Sequence, residues 1–138
     1  MSRSLALGPI ELCWTLVGER RGRVWYGRRV RRSSGARTSV QFDGLWVLER
    51  EERRHDVIGF LHTHPDGPPC PSRRDIRTMR AWCSAFGKPL LCLIASPDGL
   101  RGYCFGSEES EGAELAHVET FQRGIVIGVE ADGRQVPS

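Results

Sequence analysis

Lysine is nearly missing from this sequence: Lys88 stands alone among 20 basic residues, and the other 19 are arginine. Long hydrophobic runs are missing too. The most apolar stretch, Leu90 to Ala95 with its neighbours, is far short of the roughly 20 residues that a membrane-spanning helix needs. The opening residues, Met1 to Pro9, hold no sustained apolar segment of the kind a secretory leader carries. Cys13, Cys70, Cys83, Cys92 and Cys104 form no CxxC pair and leave an odd thiol, which argues against a disulfide framework. No segment repeats, none is of low complexity, and no linker divides the chain. These absences predict a soluble, cytoplasmic protein with a single domain over residues 1–138 and no membrane span.

What is present suffices for a core. Four Trp, five Phe and a 39% hydrophobic share in 138 residues exclude full disorder and suit one domain of common size. The net charge of +3 hides a gradient, with 12 basic and 6 acidic residues up to Arg54 but 2 basic and 7 acidic from Gly106 onward. The basic excess concentrates between Arg20 and Arg37. It reads as a solvated hairpin, or as a surface for an acidic partner or nucleic acid. Nucleic acid is not expected. Binding it would need aromatics among the basic residues, and the neighbours Trp25 and Tyr26 point to opposite faces of a strand.

The pattern alternates strands with two helices. Leu12 to Val17 is a candidate buried strand, Gly18 to Gly22 a turn, and Arg23 to Arg32 a second strand. Ser33-Ser34-Gly35 reads as a turn and Thr38 to Phe42 as a strand. Asp43 can cap a helix from Gly44 to Arg54, with Leu45, Leu48 and Trp46 on its apolar face. Val57 to Leu61 reads as a fully buried strand that empties into a proline-rich loop from Pro65 to Pro71. Ser72 is a candidate N-cap with Asp75 at the third helical position; the helix runs to about Phe86 and stops at Gly87. A hairpin of Pro89–Ser96 and Leu100–Phe105 follows. Beyond the acidic loop from Ser107 to Gly112, one segment has no clear type and Gly124 to Glu130 is a last strand. The order implies an α/β or α+β sandwich.

Chemistry concentrates in His62-Thr63-His64-Pro65, Ser72 and Asp75. Two His at i and i+2 at a strand end project the same way, so both imidazoles can reach one ion. A carboxylate in the first turn of the following helix can swing back to it. Two imidazoles and one carboxylate leave a fourth tetrahedral position open, the layout of a catalytic zinc site. Taken singly, each of these residues reads as a polar strand end or an ordinary cap. Hydrolysis also needs a base. Glu49, Glu51 and Glu52 lie on a charged, solvated helix face, and Glu19 lies in an Arg-rich turn suited to an ion pair. Glu11 opens an apolar run, where an unneeded charge is costly. Cys92 and Cys104 read as core thiols, whereas Cys70, in the metal loop, reads as a loop thiol, an extra ligand or a redox clip.

His62-Thr63-His64-Pro65 through Ser72 and Asp75 resembles the JAMM (MPN-plus) motif, H-[ST]-H-P followed by S-x-x-D. Glu11-Leu12-Cys13-Trp14-Thr15-Leu16-Val17-Gly18 is similar to the family's upstream Glu-led strand, although Trp14 stands where a small residue is common. The resemblance implies a cytidine-deaminase-like JAB/MPN sandwich, with a mixed central sheet flanked by helices. It implies a zinc isopeptidase or peptidase with His62, His64 and Asp75 as Zn2+ ligands, Glu11 as general acid/base and Ser72 as oxyanion donor. The short chain, without long insertions, is most similar to compact prokaryotic JAB proteases. The implied substrate is a ubiquitin-like protein or its conjugate, cut after a C-terminal Gly in deconjugation or precursor processing. The implied partners are neighbouring ubiquitin-activating and conjugating enzymes, including those of CBASS- and Bil-type antiphage systems. The alternatives are a hydrolase of sulfur-carrier adducts or small amides, and a non-catalytic MPN scaffold.

Overall fold

A computed structural model of the protein describes residues 11–34, 44–106 and 111–132. The elements in order are β1 (Leu12–Arg21), β2 (Val24–Ser34), α1 (Gly44–Arg54), β3 (Val57–Thr63), α2 (Arg73–Phe86), β4 (Leu90–Ser96), β5 (Gly99–Phe105), β6 (Ala113–Thr120), a short 3-10 turn (Gln122–Gly124) and β7 (Ile125–Glu130). The predicted strand at Thr38–Phe42, the Asp43 cap and residues 107–110 of the acidic loop lie outside the described residues.

The mixed α/β composition is as expected, but the sandwich is not. Instead of an open central sheet between two helical layers, the seven strands close into a barrel in the order β1-β2-β7-β6-β5-β4-β3. Closure follows from the reach of β2, whose Val24 to Arg28 pair antiparallel with Val129 to Ile125 of β7 while its other edge pairs with β1. A closed barrel leaves no unpaired sheet edge and needs an apolar filling. Leu16, Trp25, Ile58, Leu61, Leu91, Leu93, Leu115 and Val126 supply it.

Strand alternation turns the other residues outward. Cys13, Phe60, Cys92, Ile94, Tyr103 and Phe105 form a second cluster with Val47 of α1 and Met79 and Cys83 of α2. Both helices therefore share one outer layer. The β3–β4 pair is the parallel one, and α2 is its crossover. Gly59 permits the close approach of these two strands, because a Cβ there would sit 2.1 Å from the Leu91 carbonyl oxygen. Helix α1 uses a different face from the expected one. Leu45 and Leu48 are exposed, while Val47 is buried and Trp46 packs on the core. Glu51 is not merely solvated: it accepts from the Val57 N–H at 3.1 Å and pairs with Lys88 at 2.8 Å, fastening α1 to the start of β3. The segment without a clear type is β6. Trp25 is buried and Tyr26 exposed, as their adjacency on a strand requires.

Candidate metal centre

The site forms where β3 leaves the sheet. Leu61 points into the barrel and its neighbour His62 points outward, opposite Cys13 of β1. The ladder continues one residue past the strand, because the His64 N–H donates to the Ala95 carbonyl at 2.8 Å. That extra bond keeps His64 on the same side as His62, with ring centroids 5.0 Å apart. His64 Nδ1 lies 3.0 Å from the Pro68 carbonyl oxygen. A carbonyl only accepts, so Nδ1 carries the hydrogen and the Nε2 lone pair is left facing inward.

The third group arrives on α2. Ser72 caps the helix: its Oγ accepts from the Asp75 N–H at 3.1 Å, and the Asp75 carboxylate accepts from the Ser72 N–H at 2.8 Å. The same cap aims Asp75 at the imidazoles, with Oδ1 3.4 Å from His62 Nε2 and Oδ2 3.3 Å from His64 Nε2. Burial pushes the Asp75 carboxyl up, but the two imidazoles and the Ser72 N–H outweigh it and hold Asp75 well below the usual carboxylate range. For His64, burial disfavours the charged ring, yet Asp75, the Pro68 carbonyl and Glu11 raise it above its ordinary value.

One ligand atom from each of His62, His64 and Asp75 lies within 4.8 Å of the others, close enough to hold a metal ion. His62 supports that fit. Its Nε2 is buried and, beyond the 3.4 Å approach of Asp75 Oδ1, makes no well-formed hydrogen bond, a costly state that a metal bond would relieve. Two nitrogens and one oxygen also suit zinc with an open fourth position.

These groups line a cleft of about 680 Å³ that Glu11, Ser72, Cys70, Arg73 and Arg74 also border. Glu11 is half-buried at the mouth of β1, two residues before Cys13 and so on the face that Cys13 shares with His62. Glu19 lies at the far end of β1, ion-paired to Arg21 at 2.7 Å. Cys70 is an exposed free thiol outside the converging group. Beneath the site, Cys13 and Cys92 are buried, and burial reinforced by the Asp75 charge pushes both thiols up, which makes them poor ligands.

Two supporting contacts had no mark in the sequence. Thr63 Oγ1 accepts from the Leu12 N–H at 2.9 Å, clamping the start of β1, and with it Glu11, to the end of β3. Tyr103 donates its hydroxyl to the Pro69 carbonyl at 3.0 Å and ties down the proline-rich loop. Both bonds join residues more than 30 positions apart, so no local pattern announces them. Among the described residues, no helix is long and apolar enough to cross a membrane.

The family described as prokaryotic homologs of the JAB domain matches residues 1–105, the span that holds every candidate site residue. Among curated proteins, the desampylase of Pyrococcus furiosus is 29% identical over 110 residues, covering 77% of this chain and 74% of that protein. The desampylase of Haloferax volcanii is 30% identical over 97 residues, covering 66% of each chain.

Proposed function

This chain belongs to the prokaryotic homologs of the JAB domain, and from that premise we propose that it is a zinc-dependent isopeptidase or peptidase. Its substrate is a ubiquitin-like protein or conjugate, cut at the bond after the C-terminal Gly. The observation that carries this reading is the convergence of His62, His64 and Asp75 on one point in a cleft that Glu11 and Ser72 also line. The similarity to two desampylases supports a deconjugating role.

In this reading the imidazoles of His62 and His64 and the Asp75 carboxylate would hold the ion, and the Pro68 carbonyl fixes the His64 tautomer. Zinc bound there supplies the Lewis acidity that polarises a scissile carbonyl and acidifies water. Glu11 takes the proton from the attacking water and passes it to the leaving amine. Ser72 is arranged for a second task. Its Oγ accepts from Asp75 N–H and its hydroxyl hydrogen stays available to donate to the developing oxyanion. A Gly-rich tail fits such a groove in extended form, since backbone hydrogen bonding needs no large side chains. The proposal extends to conjugation enzymes as partners, in a cytoplasmic antiphage system.

The test is cleavage of ubiquitin-like fusions with and without chelator. The expected product ends at the terminal Gly and forms only when metal is present. Unchanged cleavage in chelator would refute a metal mechanism, and cleavage elsewhere would refute the substrate assignment.

A further inference from the structure

A second cavity, of about 380 Å³, opens beside Trp14 and is lined by Trp14, Arg29, Val30, Arg32, Arg123 and Gly124. Three of its six lining residues are arginines and none is acidic. A break in strand register produces this grouping. Thr15 of β1 faces Arg31 and Leu16 faces Arg29, so Val30 has no partner across the ladder. Such an extra residue re-aims the side chains around it. Here it brings Arg29 and Arg32 to one face, beside Trp14. Arg123 arrives from the 3-10 turn, held at φ 66°, a conformation that costs an ordinary side chain free energy.

Arg29 lies with its guanidinium 5.1 Å from the Trp14 ring centre, and its Nε is buried without a hydrogen-bond partner. Burial lowers its pKa, and no carboxylate among the described residues offsets the effect. Among the described residues, none of the three arginines forms an ion pair with a carboxylate. By contrast, Arg20, Arg50 and Arg101 each have one. A half-buried, uncompensated cation beside two more is stabilised by an incoming anion far more than an exposed one would be.

The pocket lies across β1 from the metal centre. Cys13 faces His62 on the outer side, and the next residue, Trp14, faces the pocket on the other. We propose that Arg29, Arg32 and Arg123 form an anchoring site for a carboxylate side chain of the protein substrate, one strand away from the bond to be cut. The partner assignment rests on the proposed reading of a protein substrate. Nucleic acid fits less well. Arg29 already lies against Trp14, the aromatic ring that lines this pocket, so a base would have to displace it to stack there.

The test is binding of end-capped tetraglutamate to the full chain at low salt, followed by the backbone and indole N–H signals in NMR. Capped tetraglutamine and a short oligothymidylate serve as comparators. The Trp14 indole and the Arg32 and Arg123 amides are expected to shift with tetraglutamate and not with tetraglutamine. The double variant Arg32→Gln/Arg123→Asn should weaken tetraglutamate binding about tenfold, as expected for losing two charge-assisted contacts near a surface. Asn suits the left-handed backbone at position 123, and a matched spectrum elsewhere verifies the fold. Shifts confined to other arginines, unchanged affinity in the double variant, or tighter binding of oligothymidylate at this pocket would each overturn the proposal. Binding is read without turnover, so an inactive enzyme leaves this test intact, and an active enzyme with no tetraglutamate shift fails the anchoring site alone.

Discussion

Ser72 and Asp75 hold each other by two reciprocal hydrogen bonds, of 3.1 Å and 2.8 Å, and both side chains border the same cleft. One local device therefore starts α2 and aims its carboxylate at two imidazoles. Stability and chemistry at Ser72 separate by choice of substitution. Ser72→Ala removes the cap and the hydroxyl, so it should lower stability by about 1 kcal/mol and turnover by about 10²–10³-fold. Ser72→Asp keeps a capping oxygen but has no hydrogen to donate at neutral pH. It should restore much of the stability and none of the turnover, as read by urea unfolding and steady-state kinetics.

Glu11 and His62 should fail in different ways. Glu11→Gln removes the proposed base and leaves the ligand set, so bound metal persists while turnover falls about 10²–10⁴-fold. His62→Ala should lose both metal and turnover. Metal analysis beside kinetics separates the two, and full activity in Glu11→Gln would assign the base elsewhere.

Tyr103→Phe tests the loop tether. The variant loses the bond to the Pro69 carbonyl and should be less stable by about 1 kcal/mol. Its metal should dissociate faster, because the same loop presents the Pro68 carbonyl to His64. Limited proteolysis within residues 65–71 gives an independent readout of loop opening.

Asp56 supplies a pH dependence away from the metal. A paired hydrogen bond from Arg50, at 3.0 and 2.8 Å, holds its carboxyl below the ordinary value despite partial burial. A depressed carboxyl stabilises the fold above its unfolded pKa of about 3.9, and that contribution is lost as pH falls through the folded value. Asp56→Asn should therefore cost about 1 kcal/mol at pH 7. The gap between variant and wild type should close progressively on acidification below pH about 4, as followed by urea unfolding across pH.

The site was more legible than the barrel because its determinants are local. His62 and His64 share a face through strand alternation, and Ser72 and Asp75 are a helix-start signature readable from four residues. Barrel closure depends on Val24 meeting Val129, a pairing 105 residues apart that no periodicity reveals. Strand β6 hid because only Leu115 and Thr120 are buried in it, and its other positions are exposed or half-buried with no strict alternation. The face of α1 was misread for a related reason. Val47 and Glu51 are anchored by partners in other elements, which outweigh the more apolar look of Leu45 and Leu48. The arginine-rich hairpin read as one basic patch, yet its members differ, since Arg20 pairs with Glu130 whereas Arg29 lies against the Trp14 ring.

The central claim is that His62, His64 and Asp75 hold zinc with a fourth position open, and zinc-edge X-ray absorption on the zinc-loaded chain tests it most directly. The account predicts one tightly held zinc per chain, with nitrogen and oxygen neighbours at about 2.0–2.2 Å that include imidazole, and no sulfur shell. A sulfur neighbour at about 2.3 Å, which would bring Cys70 into the ligand set, or a spectrum unchanged in His62→Ala would contradict it.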